Sequence, residues 1–173
     1  MHRKLNLFTT VLLVLFTSNI SSLDLVIDGN LDEADWLNAR EITKYYESLP
    51  YTLNDASGSQ KVLVLEDEKG IYLGFISYQA NETIRTQKHQ RDDEMANADM
   101  VGVSIDFDGD GLLSYGFSIS AGGSILDNVV RNENEVNYDW DSDWGYGVSI
   151  DGDTWYAEMF IPWSVASMKA QTG

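Results

Sequence analysis

The sequence contains no cysteine and only two prolines among its 173 residues. The lack of cysteine excludes a disulfide scaffold, a thiolate zinc site and a cysteine nucleophile. Bases are scarce as well, since 11 lysines and arginines face 28 acidic residues, and the formal net charge is −17. Nucleic acid and anionic lipid offer no counter-charge to so negative a surface, which excludes both as partners. The 43% share of hydrophobic residues is that of a globular protein.

The acidic charge is concentrated in the second half of the chain. Residues 92–168 hold 16 acidic residues and one base, Arg131, whereas residues 23–91 hold 12 acidic residues and seven bases. Carboxylates bind hard cations and accept hydrogen bonds from hydroxyl groups. We therefore expect a site for calcium or for sugar hydroxyls in the loops that follow residue 91.

Residues 1–22 have the pattern of a secretory signal peptide. A basic start at residues 2–4 precedes an apolar run at residues 5–16, and a small, polar stretch follows with a cleavage point near Ser21 or Ser22. The run is shorter than the ~20 residues that cross a bilayer, although an uncleaved anchor stays an alternative. With no cysteine after the run, a lipoprotein anchor is excluded. The chain is thus predicted to be exported in a bacterium, to the periplasm, the outer membrane or the outside, as residues 23–173.

Alternation of apolar and polar residues with a period of two recurs from Val62 onward and predicts β-strands. The clearest stretches are 101–107, 113–119 and 155–161, while residues 71–78 are apolar on both faces, as in a strand in the middle of a sandwich. Turn signals separate these stretches. We predict an all-β fold, an antiparallel two-sheet β-sandwich of immunoglobulin or jelly-roll type. Helix is expected to be sparse, with a short one at residues 31–40 and an ambiguous segment at 82–98.

Asp106, Asp108 and Asp110 stand at alternate positions before Gly111. This is the opening half of a calcium loop, in which carboxylates supply hard oxygen ligands. The closing glutamate is absent, because position twelve of the loop is Phe117. The alternative is a hairpin turn without metal, since Asp-Gly is a strong hairpin signal. Calcium is therefore the candidate cofactor, at these three aspartates.

The segment that starts at residue 138 interleaves aromatic rings with carboxylates. Aromatic rings stack on the apolar face of a pyranose, and neighbouring acceptors bind its hydroxyls. We expect Trp140 or Trp144 to stack on a sugar; the alternative places one indole, Trp144 first, in the core and leaves the aspartates as a solvated rim. The candidate sugar-binding residues of this segment are Tyr138, Asp139, Trp140, Asp141 and Trp144.

Arg91 precedes an acidic run and is a second candidate for the sugar site. Its guanidinium would donate a bidentate pair of hydrogen bonds to hydroxyls or a carboxylate. The alternative, favoured by the ordinary frequency of surface ion pairs, is that Arg91 neutralises its acidic neighbours.

One histidine remains in residues 23–173, and it gives little support to a cofactor. His89 with Met95 and Met100 could in principle hold haem, but a lone histidine in a polar stretch is far more often a surface residue. No pair of carboxylates is singled out by its spacing for glycoside hydrolysis. No catalytic residue is predicted, and any hydrolase activity is expected to lie outside this chain.

Several motifs occur in an order that resembles carbohydrate-binding modules of family 9. IDGNLDEADW at 27–36 is similar to the family's opening IDGxLDExxW, and the stretch 62–78, which contains IYLGF, resembles its next two strands. DMVGVSID at 99–106 with SYGFSISAG at 114–122 resembles its hairpin, although Ser120 replaces the usual asparagine, and Asp127 falls where the family commonly has an aspartate. WDSDW at 140–144 and WYAEMFIP at 155–162 resemble its closing motifs, although Trp163 and the residues after it depart from the pattern.

The resemblance implies a two-sheet sandwich that binds an oligo- or polysaccharide, often holds structural calcium, and performs no catalysis itself. It is greatest to N-terminal modules of large exported bacterial proteins in which a β-rich region of outer-membrane type follows. The chain would then be the N-terminal part of a longer protein. Two alternatives stay open: a structural or interaction module of an outer-membrane β-barrel protein, and an accessory domain of a glycoside hydrolase encoded downstream.

Overall fold

The computed structural model describes residues 22–48, 51–56, 59–80, 83–93, 97–132 and 134–166. Apart from Ser22, the predicted signal peptide lies outside the described residues. Two short 3-10 helices occur, at Ala34–Asn38 and Trp163–Val165. The strands of the described residues are β1 (Arg40–Ile42), β2 (Ser59–Glu66), β3 (Gly70–Tyr78), β4 (Met100–Ile105), β5 (Leu113–Ser120), β6 (Ile125–Arg131), β7 (Glu135–Asn137), β8 (Gly145–Asp151) and β9 (Thr154–Pro162).

The strands form two sheets in which every neighbouring pair is antiparallel. One sheet has five strands in the order β1-β2-β3-β9-β8, and the other has four in the order β4-β5-β6-β7. The predicted all-β sandwich is therefore confirmed. The helix expected at residues 31–40 is a 3-10 helix of five residues, and the described part of 82–98 contains neither helix nor strand. No helix among the described residues is long and apolar enough to cross a bilayer.

The main core lies between the two sheets and follows from the alternation along the strands. Trp155, Met159 and Ile161 of β9 point inward and meet Phe117 and Ile119 of β5. Each of these five side chains is at most 2% exposed. Because successive residues of a strand face opposite sides, the intervening residues of β9 must face away from this core.

A second, smaller core covers part of the outer face of the five-stranded sheet. The chain from residue 22 to residue 39 crosses this face, and Trp36 packs there against Leu63 and Tyr72, with Leu31 and Phe160 beside them. Gly74 makes room for the crossing, since a Cβ there would lie 2.6 Å from a methyl carbon of Leu31. The opening motif at 27–36 therefore has a structural role, as the cover of one sheet.

A candidate saccharide site around Arg91

Asp127 is the buried centre of the candidate site. It lies in the middle of β6 opposite Phe117, on the inward-facing side, and it is 0% exposed. Its carboxylate accepts hydrogen bonds from Arg91 Nη2 at 2.7 and 2.8 Å and from the backbone N–H of Ser142 at 2.9 Å. The buried carboxylate thereby joins the segment before β4 to the loop before β8.

Arg91 bridges further carboxylates at the surface. Its Nε lies 2.7 Å from Asp141 Oδ1 and 3.4 Å from Asp92 Oδ2. Asp92 has a positive φ of 59° and accepts the backbone N–H of Asp127 at 3.0 Å. The Arg91 side chain remains 39% exposed and that of Asp141 67% exposed. The alternative in which Arg91 neutralises neighbouring acids thus describes its contacts well, but the partners include residues 36 and 50 positions away in sequence.

Burial and charge act in opposite directions at this ion pair. Desolvation raises the pKa of Asp127 above its ordinary value, although the N–H of Ser142 and the Arg91 guanidinium act to lower it. Burial likewise acts to lower the pKa of Arg91, but the facing carboxylates of Asp127 and Asp141 outweigh it, and the net shift is upward. The arginine therefore stays charged at any physiological pH.

An open pocket of about 310 Å³ lies over this network and is lined by Arg91, Asp141, Ser142 and Asp143. It presents a guanidinium donor next to carboxylate acceptors. Vicinal sugar hydroxyls both donate and accept, so this combination can hold two of them at once.

The two tryptophans of the acidic segment differ in how far their rings are exposed to a ligand. Trp144 is 8% exposed and belongs to the main core, with its ring centre 5.6 Å from that of Phe117. The expectation that Trp144 stacks on a sugar is therefore wrong, because protein side chains pack against its ring. The alternative that places Trp144 in the core is the one that the structure has. Trp140 is half-buried and packs against the main core, with its ring centre 5.0 Å from that of Tyr115 and 6.0 Å from that of Phe117. Tyr138 is also half-buried and Asp139 is exposed, and a sugar contact of these two and Trp140 stays a prediction.

The loop that begins at Asp106 has the structure of a turn held by its first aspartate. The Asp106 carboxylate accepts the backbone N–H groups of Asp108, Gly109 and Gly111 at 3.1, 2.8 and 2.6 Å. Asp110 accepts the N–H of Leu112 at 3.0 Å. The hairpin-turn alternative accounts for these bonds, and calcium at Asp106, Asp108 and Asp110 stays a prediction.

Three other carboxylates approach one another more closely than those of the turn. Among the described residues, oxygens of Asp92, Asp127 and Asp141 lie within 4.8 Å of one another. The Arg91 guanidinium contacts all three, so a cation already occupies the place where a metal ion would gain most.

His89 is not the surface residue that a polar stretch suggests. Its side chain is 14% exposed, and its Nδ1 lies 3.4 Å from Asp93 Oδ2. Met100 is on β4 and 36% exposed, whereas Met95 lies outside the described residues. This arrangement adds no support for haem.

Sequence reasoning missed Glu158 as a buried carboxylate; it is 0% exposed in the middle of β9. Its Oε2 accepts the backbone N–H groups of Asp28 and Gly29 at 2.9 and 2.8 Å, and its Oε1 accepts Trp36 Nε1 at 3.2 Å. Burial raises the pKa of Glu158 to about 7, despite these donors. The available signal was the alternation of β9, which places Glu158 on the outer face with Tyr156 and Phe160.

This chain is similar to a known protein in its fold, but not in its sequence. No family model matches the sequence. No curated protein matches it. A crystal structure from Bacteroides uniformis, described as that of a candidate carbohydrate-binding protein, is similar to this chain with a TM-score of 0.59 and 15% sequence identity. The similarity covers 76% of this chain but only 63% of the other, and at this identity it concerns the fold.

Proposed function

We propose that the chain is an exported carbohydrate-binding domain that acts by binding and not by catalysis. The observation that carries this proposal is the pocket at Arg91, where the guanidinium lies beside the exposed carboxylates of Asp141 and Asp143. The half-buried Trp140 directly precedes Asp141 in the chain. The similarity to a β-sandwich described as a candidate carbohydrate-binding protein supports the same class of ligand.

In the proposed complex each group of the site has a separate task. Arg91 donates to one hydroxyl of a pyranose, while Asp141 and Asp139 accept from others. Trp140, with Tyr138 beside it in sequence, offers ring area to the apolar face of the sugar. Because Asp127 already fixes Arg91 through Nη2, the guanidinium is oriented before the ligand arrives, which lowers the entropic cost of binding.

Calcium is proposed as a stabilising ion at Asp106, Asp108 and Asp110 and not as part of the sugar contact. The three carboxylates lie in the loop between β4 and β5, where bound calcium would offset their mutual repulsion. A cation that binds only the folded state raises the unfolding temperature in proportion to the logarithm of its concentration.

Calorimetric titration with a panel of neutral oligosaccharides, with and without calcium, tests the proposal. We expect heat of binding from at least one neutral sugar, and a loss of about tenfold in affinity for Asp141→Asn and for Trp140→Ala. Glu68→Gln is the matched control for the first variant, because Glu68 is an exposed acid in the turn between β2 and β3. The absence of heat from every sugar, or equal losses in the control, would contradict the proposal.

A further inference from the structure

The outer face of the five-stranded sheet is covered over only part of its length. Glu158 lies opposite Gly147 on β8 and Gly74 on β3 and is itself 0% exposed, and the N-terminal segment contacts all three residues of this row. Tyr156 lies two residues before Glu158 on β9 and therefore faces the same side of the sheet. It lies opposite Ser149 on β8 and Ile76 on β3. Tyr156 and Ile76 are only half-buried, so the cover ends between the two rows.

A groove of about 380 Å³ occupies the place where the cover ends. Its apolar part consists of Tyr156, Ile76 and Leu31, all half-buried. Its polar part consists of Asn30, Asp32 and Asp151, all exposed. An aromatic and aliphatic floor with a polar rim is the usual composition of a small-molecule site.

The walls of this groove are held in place by bonds that reach across the fold. The turn at Asp28–Asn30 forms one wall, and Glu158 accepts the N–H of Gly29 from it at 2.8 Å. The Ser149 hydroxyl on β8 donates to the Gly29 carbonyl at 2.7 Å, which fixes this wall to the edge strand. Gly29 has a φ of +94°, and a Cβ there would lie 2.4 Å from the backbone of Val148. This wall is therefore bonded to both β8 and β9 before any ligand binds.

The charge of the groove selects among ligands with an apolar face. Asp32 and Asp151 lie on the rim, and no lysine or arginine is among the described residues that line it. Lys61, opposite Ile76 on β2, is paired with Glu41 at 2.9 Å. Carboxylates next to an aromatic ring attract a cation, through ion pairing and through the negative face of the ring. Uronic acids and sulfated sugars would be repelled.

We propose that this groove binds a saccharide unit that carries a protonated amine, with the pyranose on the Tyr156 ring and the ammonium group at the aspartates of the rim. The proposal extends the proposed carbohydrate-binding function to a second site. This second site lies on the five-stranded sheet, whereas the Arg91 pocket is attached to β6 of the four-stranded sheet.

Titration of three matched oligosaccharides tests the proposal: a β-1,4 oligomer of glucosamine, its N-acetylated form, and the glucose oligomer of the same length. The titration is made at about pH 5, where the free amines of the glucosamine oligomer are protonated. We expect the glucosamine oligomer to bind at least tenfold more tightly than the other two, and Tyr156→Ala to weaken it about tenfold. Circular dichroism and the unfolding temperature establish that each variant is folded.

A cationic oligomer could also bind any acidic surface, so the decisive comparison holds net charge constant. The double variant Asp32→Asn with Asp151→Asn is compared with Glu68→Gln together with Glu135→Gln, two exposed acids elsewhere. We expect a loss of more than tenfold in the first and little change in the second. Equal losses in both would overturn the proposal, because they would show attraction to the surface as a whole. These exposed substitutions also serve if Tyr156→Ala does not fold.

The outcomes separate this inference from the function on which it rests. Neutral sugars that bind and are weakened by Asp141→Asn, without any specific effect of the groove variants, would overturn the groove and leave the proposed function in place. Tighter binding of the glucosamine oligomer that is weakened by the groove variants but not by Asp141→Asn supports the groove. No binding by any sugar in either series would overturn both.

Discussion

Asp127 and Glu158 are both fully buried, one on each sheet, but their charges are compensated in different ways. Asp127 faces a full positive charge, the Arg91 guanidinium, at 2.7 Å. Glu158 faces no cation; its hydrogen-bond donors are the N–H groups of Asp28, Gly29 and Trp36, and the nearby charge of Glu33 opposes its ionisation. Burial raises the pKa of both carboxyl groups, and the pKa of Glu158 reaches about 7. At Asp127 the Arg91 cation opposes this rise, whereas at Glu158 only hydrogen bonds from N–H groups oppose it.

Replacing Arg91 removes the cation beside Asp127, and we expect this substitution to have the largest effect on stability. Arg91→Met leaves the Asp127 carboxylate buried with the N–H of Ser142 but without a cation, which should lower the free energy of unfolding by about 3 kcal/mol at neutral pH. The pKa of Asp127 rises further in the variant, so the loss should be smaller in acid. Urea denaturation at several pH values measures both.

Lys88→Met is the control for that substitution, because Lys88 is an exposed cation of the same segment. It should change the free energy of unfolding by less than about 0.5 kcal/mol. A loss for Arg91→Met no larger than that of the control would show that Asp127 does not depend on this ion pair.

The pH dependence of stability tests the ionisation of Glu158, the other buried carboxyl group. The pKa of Glu158 is about 7 in the folded protein, against an ordinary value of 4.5. The folded state therefore holds this proton more tightly than the unfolded state does. The resulting stabilisation is complete below about pH 4.5 and is lost as the pH rises through 7. It amounts to about 3 kcal/mol, and the Glu158→Gln variant should lack it.

The measurement is the difference in unfolding free energy between the wild type and Glu158→Gln from about pH 4 to pH 8. Taking the difference removes the contributions of other acids, including Asp67, whose pKa is lowered, mainly by bonds from backbone N–H groups that overcome burial. We expect the variant to be less stable than the wild type in acid and to approach or exceed it above neutrality. A difference that does not vary with pH would show that folding does not shift the pKa of Glu158.

Local pattern was enough to predict the strands but not the partners of the buried charges. The alternation along β5 and β9 predicts Phe117 and Trp155 as core residues, and both are at most 2% exposed. Asp127 breaks that pattern, as a carboxylate on the inward face of β6, whereas Glu158 keeps to the outer face of β9 and is buried by the N-terminal segment. Their partners are distant, 36 residues away for Arg91 and up to 130 for Asp28. No period or spacing in the chain encodes such a contact.

The sequence also could not predict which residues of the candidate sites are buried, even where they are close together in the chain. Trp140 and Trp144 stand in one acidic segment and have similar neighbours in sequence, yet Trp144 is in the core and Trp140 is half-buried. Both rings lie edge-on to Phe117, but Trp144 directly precedes β8, which begins at Gly145, and is the more buried of the two. The groove on the outer sheet was missed because Asn30, Ile76 and Tyr156 meet only after three separate segments have packed.

The smallest predicted effect concerns one of the three dipoles at Glu158. Trp36→Phe removes the indole N–H that lies 3.2 Å from Glu158 Oε1 and keeps an aromatic ring against Leu63. Loss of one hydrogen bond to a buried acceptor should lower the free energy of unfolding by about 1 kcal/mol. Because the lost donor favoured the ionised form, the loss should be greater above pH 7 than in acid, which thermal unfolding at two pH values measures.

Leu37→Ala is the control, since Leu37 is 89% exposed in the same 3-10 helix and its substitution should not change the free energy of unfolding. A loss for Trp36→Phe that is equal at both pH values would mean that the indole acts at this site through packing alone, and that the backbone N–H groups of Asp28 and Gly29 are enough to set the ionisation of Glu158.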